Sequence, residues 1–117
     1  MIVFEKVRAI CQQLPAYAAI VPSHSPRPSA RDFYDIFLIM DQHKIDPAIT
    51  ENKTMLQSIF QAKHVPPNFI QLIHENLALH KLDWQNVLDT LPAREEAAAF
   101  DFYADYLLKH FQQLTFD

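Results

Sequence analysis

Residues Ser29–His43, SARDFYDIFLIMDQH, decide the fold. Phe33, Tyr34, Ile36, Phe37, Leu38, Ile39 and Met40 surround nearly the whole circumference of a helix running from Ala30 to about His43. A helix that is apolar on almost every side is usually buried in the middle of a bundle. Ser29 stands in the N-cap position, and Asp32, three residues on, is its acidic capping-box partner. The preceding stretch, PSHSPRPS at 22–29, carries Pro22, Pro26 and Pro28 and reads as a loop, because proline supplies neither helix nor ladder hydrogen bonds.

Working outward, Ile2–Leu14 has Val3, Val7, Ile10 and Leu14 at helical spacing, and Pro15 stops or kinks it. Ala16–Val21 is a second, short apolar stretch compatible with helix. After the central helix, Asp46-Pro47 has the form of a helix start, with the acid at the N-cap and proline at the first helical position. This helix is expected to reach about Lys63, turning Ile49, Met55, Leu56, Ile59 and Phe60 inward. Pro66-Pro67 restarts the chain for a helix holding Phe69, Ile70, Leu72, Ile73, Leu77 and Leu79. Asp83 caps a short helix with Trp84, Val87 and Leu88, which Pro92 closes. A last helix from about Ala93 to Leu114 carries the stripe Phe100, Tyr103, Leu107, Phe111 and Leu114. No segment alternates with period two. The expectation is an all-α fold, a single compact bundle of about five or six helices over residues 1–117.

Composition narrows the function classes. The 117 residues contain no glycine, where average usage would give roughly 8. Neither a G-x-G-x-x-G loop nor a P-loop can be built without it. Half the residues are hydrophobic, too many for a disordered chain. The net charge of −4 gives no basic field for strong nucleic-acid binding. Cys11 is the only cysteine, so no internal disulfide can form and a cytoplasmic setting is expected. The longest apolar run, Ala16–Val21, is far too short to span a bilayer.

Most candidate chemistry reads as ordinary structure. The histidines at 24, 43, 64, 74, 80 and 110 are expected at the surface or at helix ends. His74-Glu75 begins like a zinc-binding helix motif, but Ala78 stands where the second histidine belongs, so no metal site is expected. Cys11 reads as a small buried apolar residue, Trp84 as core, and Asp101 with Asp105 as a solvated helix face. Two clusters stand apart: Glu5-Lys6-Val7-Arg8-Ala9, and Arg27 to Asp35. Asp32 and Asp35 are one helical turn apart, near one face. A purely structural account makes Asp32 a capping acid, pairs Asp35 with Arg31 at i, i+4, and leaves Lys6 solvated.

EKVRAICQQ at 5–13, followed by RPSARDFYDIFLIM at 27–40, resembles the third and fourth motifs of the AbiEii/AbiGii-type nucleotidyltransferase toxins of abortive-infection and toxin–antitoxin systems. Lys6, Ala9 and Gln12 or Gln13 match the lysine motif. Arg31, Asp32 and Asp35 match the later one, with Arg27 or Ser29 near its first arginine position. The downstream helices fit the family's helical C-terminal part. The resemblance implies that Lys6 is a point charge on phosphates and that Asp32 orients or deprotonates the acceptor, with Arg31 and Asp35 in support. It also implies magnesium and a nucleoside triphosphate for the full-length family. The family's Gly-Ser loop and D-x-D pair are missing: there is no glycine, and no two acidic residues are separated by a single position. The chain is therefore expected to be the C-terminal part of a longer enzyme, inactive alone and needing no cofactor by itself. Its implied partners are a missing N-terminal domain or a cognate antitoxin. The alternative reading is a stand-alone helical interaction module, a homo-oligomer formed through an exposed apolar face on the first helix.

Overall fold

The computed structural model describes residues 1–116. Among them are seven α-helices and a 3-10 segment, and no strand. The helices are α1 (Ile2–Cys11), α2 (Pro15–Ile20), α3 (Ala30–His43), α4 (Thr50–Ala62), α5 (Leu77–Lys81), α6 (Trp84–Thr90) and α7 (Phe100–Phe111); the 3-10 segment is Pro67–Asn76. The all-α expectation holds, with more pieces than five or six. The short apolar stretch after Pro15 is a helix of its own, and the stretch after Pro66 divides in two.

The central element is the expected one. α3 packs on α1, α6 and α7, while α1 also packs on α4 and the 3-10 segment. The apolar face of α1 (Val3, Phe4, Val7, Ile10 and Cys11) is buried in the chain's own core, and only Met1 and Ile2 stay exposed at its start. The face expected to be open on the first helix is thus covered from within. Cys11 lies in the same core, where burial pushes its thiol pKa far up and keeps it uncharged.

α1 and α7 end three residues short of expectation, at Cys11 and Phe111, and three further stretches differ, each for a local reason. Asp46 does not cap a helix: its Oδ1 accepts from the Ala48 backbone N–H at 2.9 Å, closing a turn, and α4 begins only at Thr50. The segment after Pro66 winds as a 3-10 helix over ten residues. Its buried Ile70 and Ile73 are three apart, a spacing that serves three residues per turn as well as 3.6. The final helix starts at Phe100, not Ala93. Ala97-Ala98-Ala99 has good helix composition, yet the Ala98 N–H donates to the Tyr103 hydroxyl at 2.9 Å, and the Tyr34 hydroxyl donates to Glu95 at 2.9 Å. Two tertiary hydrogen bonds override local propensity there.

Around these bonds the rings of Tyr34, Trp84, Phe100 and Tyr103 meet tilted or edge-to-face at 5.2–6.2 Å, which locks α3, α6 and α7 together. Trp84 is core, as its spacing indicates. No helix among the described residues is long and apolar enough to cross a membrane.

Candidate functional site

Lys6 leaves α1 on the side that meets the first turns of α3. Its half-buried ammonium lies between two carboxylates, 3.2 Å from Asp35 Oδ2 and 3.6 Å from Asp32 Oδ1. The other oxygen of Asp35 is held by Arg31, whose Nε donates to Oδ1 at 3.0 Å. All four residues picked from the sequence therefore form one cluster, although Lys6 is 26 residues from Asp32 and 29 from Asp35. Side-chain exposures of 25% for Lys6, 23% for Asp32 and 21% for Asp35 place the cluster at a protein–water boundary. Lys6 is a half-buried ion-pair partner, not the freely solvated lysine of the structural account. The Arg31–Asp35 pair exists as the structural account had it, but as one arm of a larger network.

The capping box does not form. Ser29 caps nothing with its side chain, and its Oγ points to the Arg27 carbonyl at 3.4 Å. Asp32 is thereby directed to Lys6. Burial raises the Asp32 pKa above the usual carboxylate value, and the neighbouring negative charge of Asp35 adds to the rise. The charge and hydrogen bond of Lys6 and the charge of Arg8 act in the opposite direction.

Arg8, in the first of the two sequence clusters but not among the matched motif positions, also bears on the site through its charge on Asp32. Its Nε is buried without a hydrogen-bond partner, while a second guanidinium nitrogen donates to Gln12. Gln12 in turn donates to the Tyr17 hydroxyl at 3.3 Å. Gln13 is buried and accepts from the Arg27 backbone N–H at 2.7 Å, so it holds the proline loop rather than facing the cluster. The Arg27 side chain is exposed. Arg31 also extends to α6, donating to Thr90 Oγ1 at 3.2 Å, with its guanidinium 5.7 Å from the centre of the Tyr34 ring. A surface cavity of about 330 Å³ opens beside Arg31, lined also by Asp83, Asn86, Val87 and Thr90. Lys6, Arg8 and Arg31 give the cluster three cations against two carboxylates, a local positive excess in a chain of net charge −4.

The two motif stretches thus meet where α1 packs on α3, with Lys6 between Asp32 and Asp35. The description nucleotidyl transferase AbiEii toxin, of a type IV toxin–antitoxin system, matches residues 1–106. The chain belongs to the AbiEii family. The match runs from α1 into α7 and takes in every residue of the cluster. AbiEii membership places the chain among nucleotidyltransferase-like proteins of toxin–antitoxin type, for which a cognate antitoxin is the expected partner. No curated protein and no solved structure matches it.

The histidines are not all peripheral. His43, His64 and His74 are exposed, His24 and His110 half-buried, and His80 is fully buried. His80 falls on the helical stripe Ile73, Leu77, Trp84 and Val87, the signal that could have marked it as interior. Among the described residues no three His, Cys, Asp or Glu side chains are grouped to hold a metal ion.

Proposed function

We propose that Lys6, Asp32, Arg31 and Asp35 are the lysine-and-aspartate half of a nucleotidyl-transfer site, and that these 117 residues correspond to the C-terminal, helical part of such an enzyme. The observation that carries this reading is the position of Lys6 Nζ between the two motif carboxylates. An ammonium has three donors, and two carboxylate partners leave one for a phosphate oxygen. Asp32, with its pKa raised by burial, is suited to orient an acceptor hydroxyl and take its proton. Arg31 and Asp35 keep Lys6 extended toward α3 rather than into solvent.

Magnesium, which the family resemblance implies, does not fit these residues. Asp35 has both oxygens engaged by cations, Asp32 faces the same ammonium, and no third ligand of the right type is grouped with them among the described residues. Three cations around two carboxylates repel a divalent ion. The cluster is built to meet phosphate, and no step here is assigned to a metal. With no glycine for a phosphate loop and no D-x-D pair, the chain alone does not turn over.

Incubation of the purified chain with radiolabelled nucleoside triphosphates, Mg²⁺ and total RNA or protein acceptors tests this. The expected result is no transfer. Sustained transfer that survives Lys6→Met would overturn the assignment. Transfer that Lys6→Met abolishes would keep the residues and overturn the claim of inactivity.

A further inference from the structure

His80 is the one histidine whose side chain is wholly inside the protein, and it lies 51 residues from the atom it holds. Its Nδ1 is 2.9 Å from the backbone nitrogen of Ser29, the residue immediately before α3. A backbone N–H can only donate, so Nδ1 is the unprotonated nitrogen and the ring proton is on Nε2. That Nε2 is buried and has no hydrogen-bond partner. The ring packs 5.0 Å from Phe33, one residue beyond Asp32. The same loop is held a second time at Arg27 by Gln13. Ser29 has no cap of its own making, and the start of α3 depends on these outside attachments.

We infer that His80 is a positioning residue for the Lys6–Asp32 pair: through Ser29 and Phe33 it fixes the first turn of α3, and so sets how deeply Asp32 is buried beside Lys6. This rests on the reading of Asp32 as a site carboxylate, but its geometric content is independent of catalysis. An imidazole with one nitrogen satisfied and the other buried unpaired is a poor filler of apolar space. An acceptor is needed there for the Ser29 N–H, and a neutral imidazole supplies it in a ring that also packs on Phe33. Burial holds the imidazole neutral, lowering its pKa to about 4, with Asp83 as the opposing charge.

The test uses the full 117-residue chain and nuclear magnetic resonance. In long-range ¹H–¹⁵N spectra at neutral pH, His80 should show the Nε2–H tautomer; an Nδ1–H tautomer would overturn the inference. The carboxyl ¹³C titration of Asp32 is then followed in three variants. In His80→Leu the ring volume is roughly kept and the acceptor lost. There the Asp32 pKa should fall toward the ordinary carboxylate value as its burial is relieved. In His80→Asn, whose Oδ1 replaces Nδ1, the wild-type titration should be largely restored. Leu56→Ala, which opens a cavity on α4, should lower stability and leave Asp32 unchanged. An Asp32 titration that is the same in His80→Leu as in wild type contradicts the inference. So does an equal shift in Leu56→Ala. If His80→Leu does not fold, His80→Gln takes its place, because its acceptor is displaced toward the Nε2 position and should not rescue the titration. Failure of nucleotide recognition at Lys6 would affect the proposed function and leave these readouts untouched.

Discussion

Lys6 shows what a motif conveys and what it leaves out. The resemblance gave Lys6 and Asp32 separate roles, on phosphates and on an acceptor; their ion pairing comes from the packing of α1 on α3 and was not readable from any local spacing. Arg8 lies within the first cluster and His80 on an apolar stripe, but which polar atoms end up buried there depends on which elements close over them. Two predictions belong at this scale. In Lys6→Met, Asp32 loses the cation that most opposes its burial, so its carboxyl pKa should rise further, as read by ¹³C titration. Because the cluster is partly exposed and screened, the stability cost should be only about 1 kcal/mol in chemical denaturation. For His80 the folded-state pKa, about 4, lies below the ordinary 6.5. The neutral ring therefore contributes stability in full above pH 6.5, and this contribution is lost as pH falls toward 4. The total is about 3 kcal/mol. Denaturation midpoints measured between pH 7 and 4 should fall in wild type and flatten over that interval in His80→Leu.

Helix ends show most clearly where sequence and structure diverge. Helical segments and their order were legible from apolar spacing, though not the 3-10 winding of Pro67–Asn76, and α3 matches its expected span from Ala30 to His43, bounded by a loop dense in proline. The starts of α4 and α7 were not legible, since an Asx turn at Asp46 and the hydroxyls of Tyr34 and Tyr103 redirect backbone groups that propensity assigns to helix. The missing glycine has a direct consequence at helix C-termini. Lys44, after α3, and His64, after α4, adopt left-handed backbone with φ of 51° and 57°. Ile45 N–H donates back to Met40 and Val65 N–H to Phe60, the pattern in which glycine is normally placed. A side chain at such a position costs about 1 kcal/mol. Lys44→Gly and His64→Gly are each expected to stabilise the protein by up to about 1 kcal/mol, measured by urea denaturation. Destabilisation by either would contradict the assignment of strain.

For the molecule as a whole, one continuous apolar core joins α1, α3 and α7, and the candidate site lies where that core reaches water between α1 and α3. Phe33 connects the two: it is fully buried, adjoins the site through Asp32, and contacts both His80 and Phe100. Phe33→Ala should cost about 3–5 kcal/mol, a large share of the 5–15 kcal/mol typical of a domain, and thermal denaturation will show it. The positive excess at Lys6, Arg8 and Arg31, set within a chain of net charge −4, makes phosphate recognition a local property rather than one of the overall field. Titration of the ¹⁵N,¹³C-labelled chain with a nucleoside triphosphate, without metal and at low salt, examines this most directly. The account predicts that the Lys6 side-chain and Asp32 carboxyl resonances move together in a saturable, salt-sensitive manner, and that Lys6→Met abolishes the response. Resonances at Lys6 and Asp32 that stay fixed, or a response that persists unchanged in Lys6→Met, would contradict it.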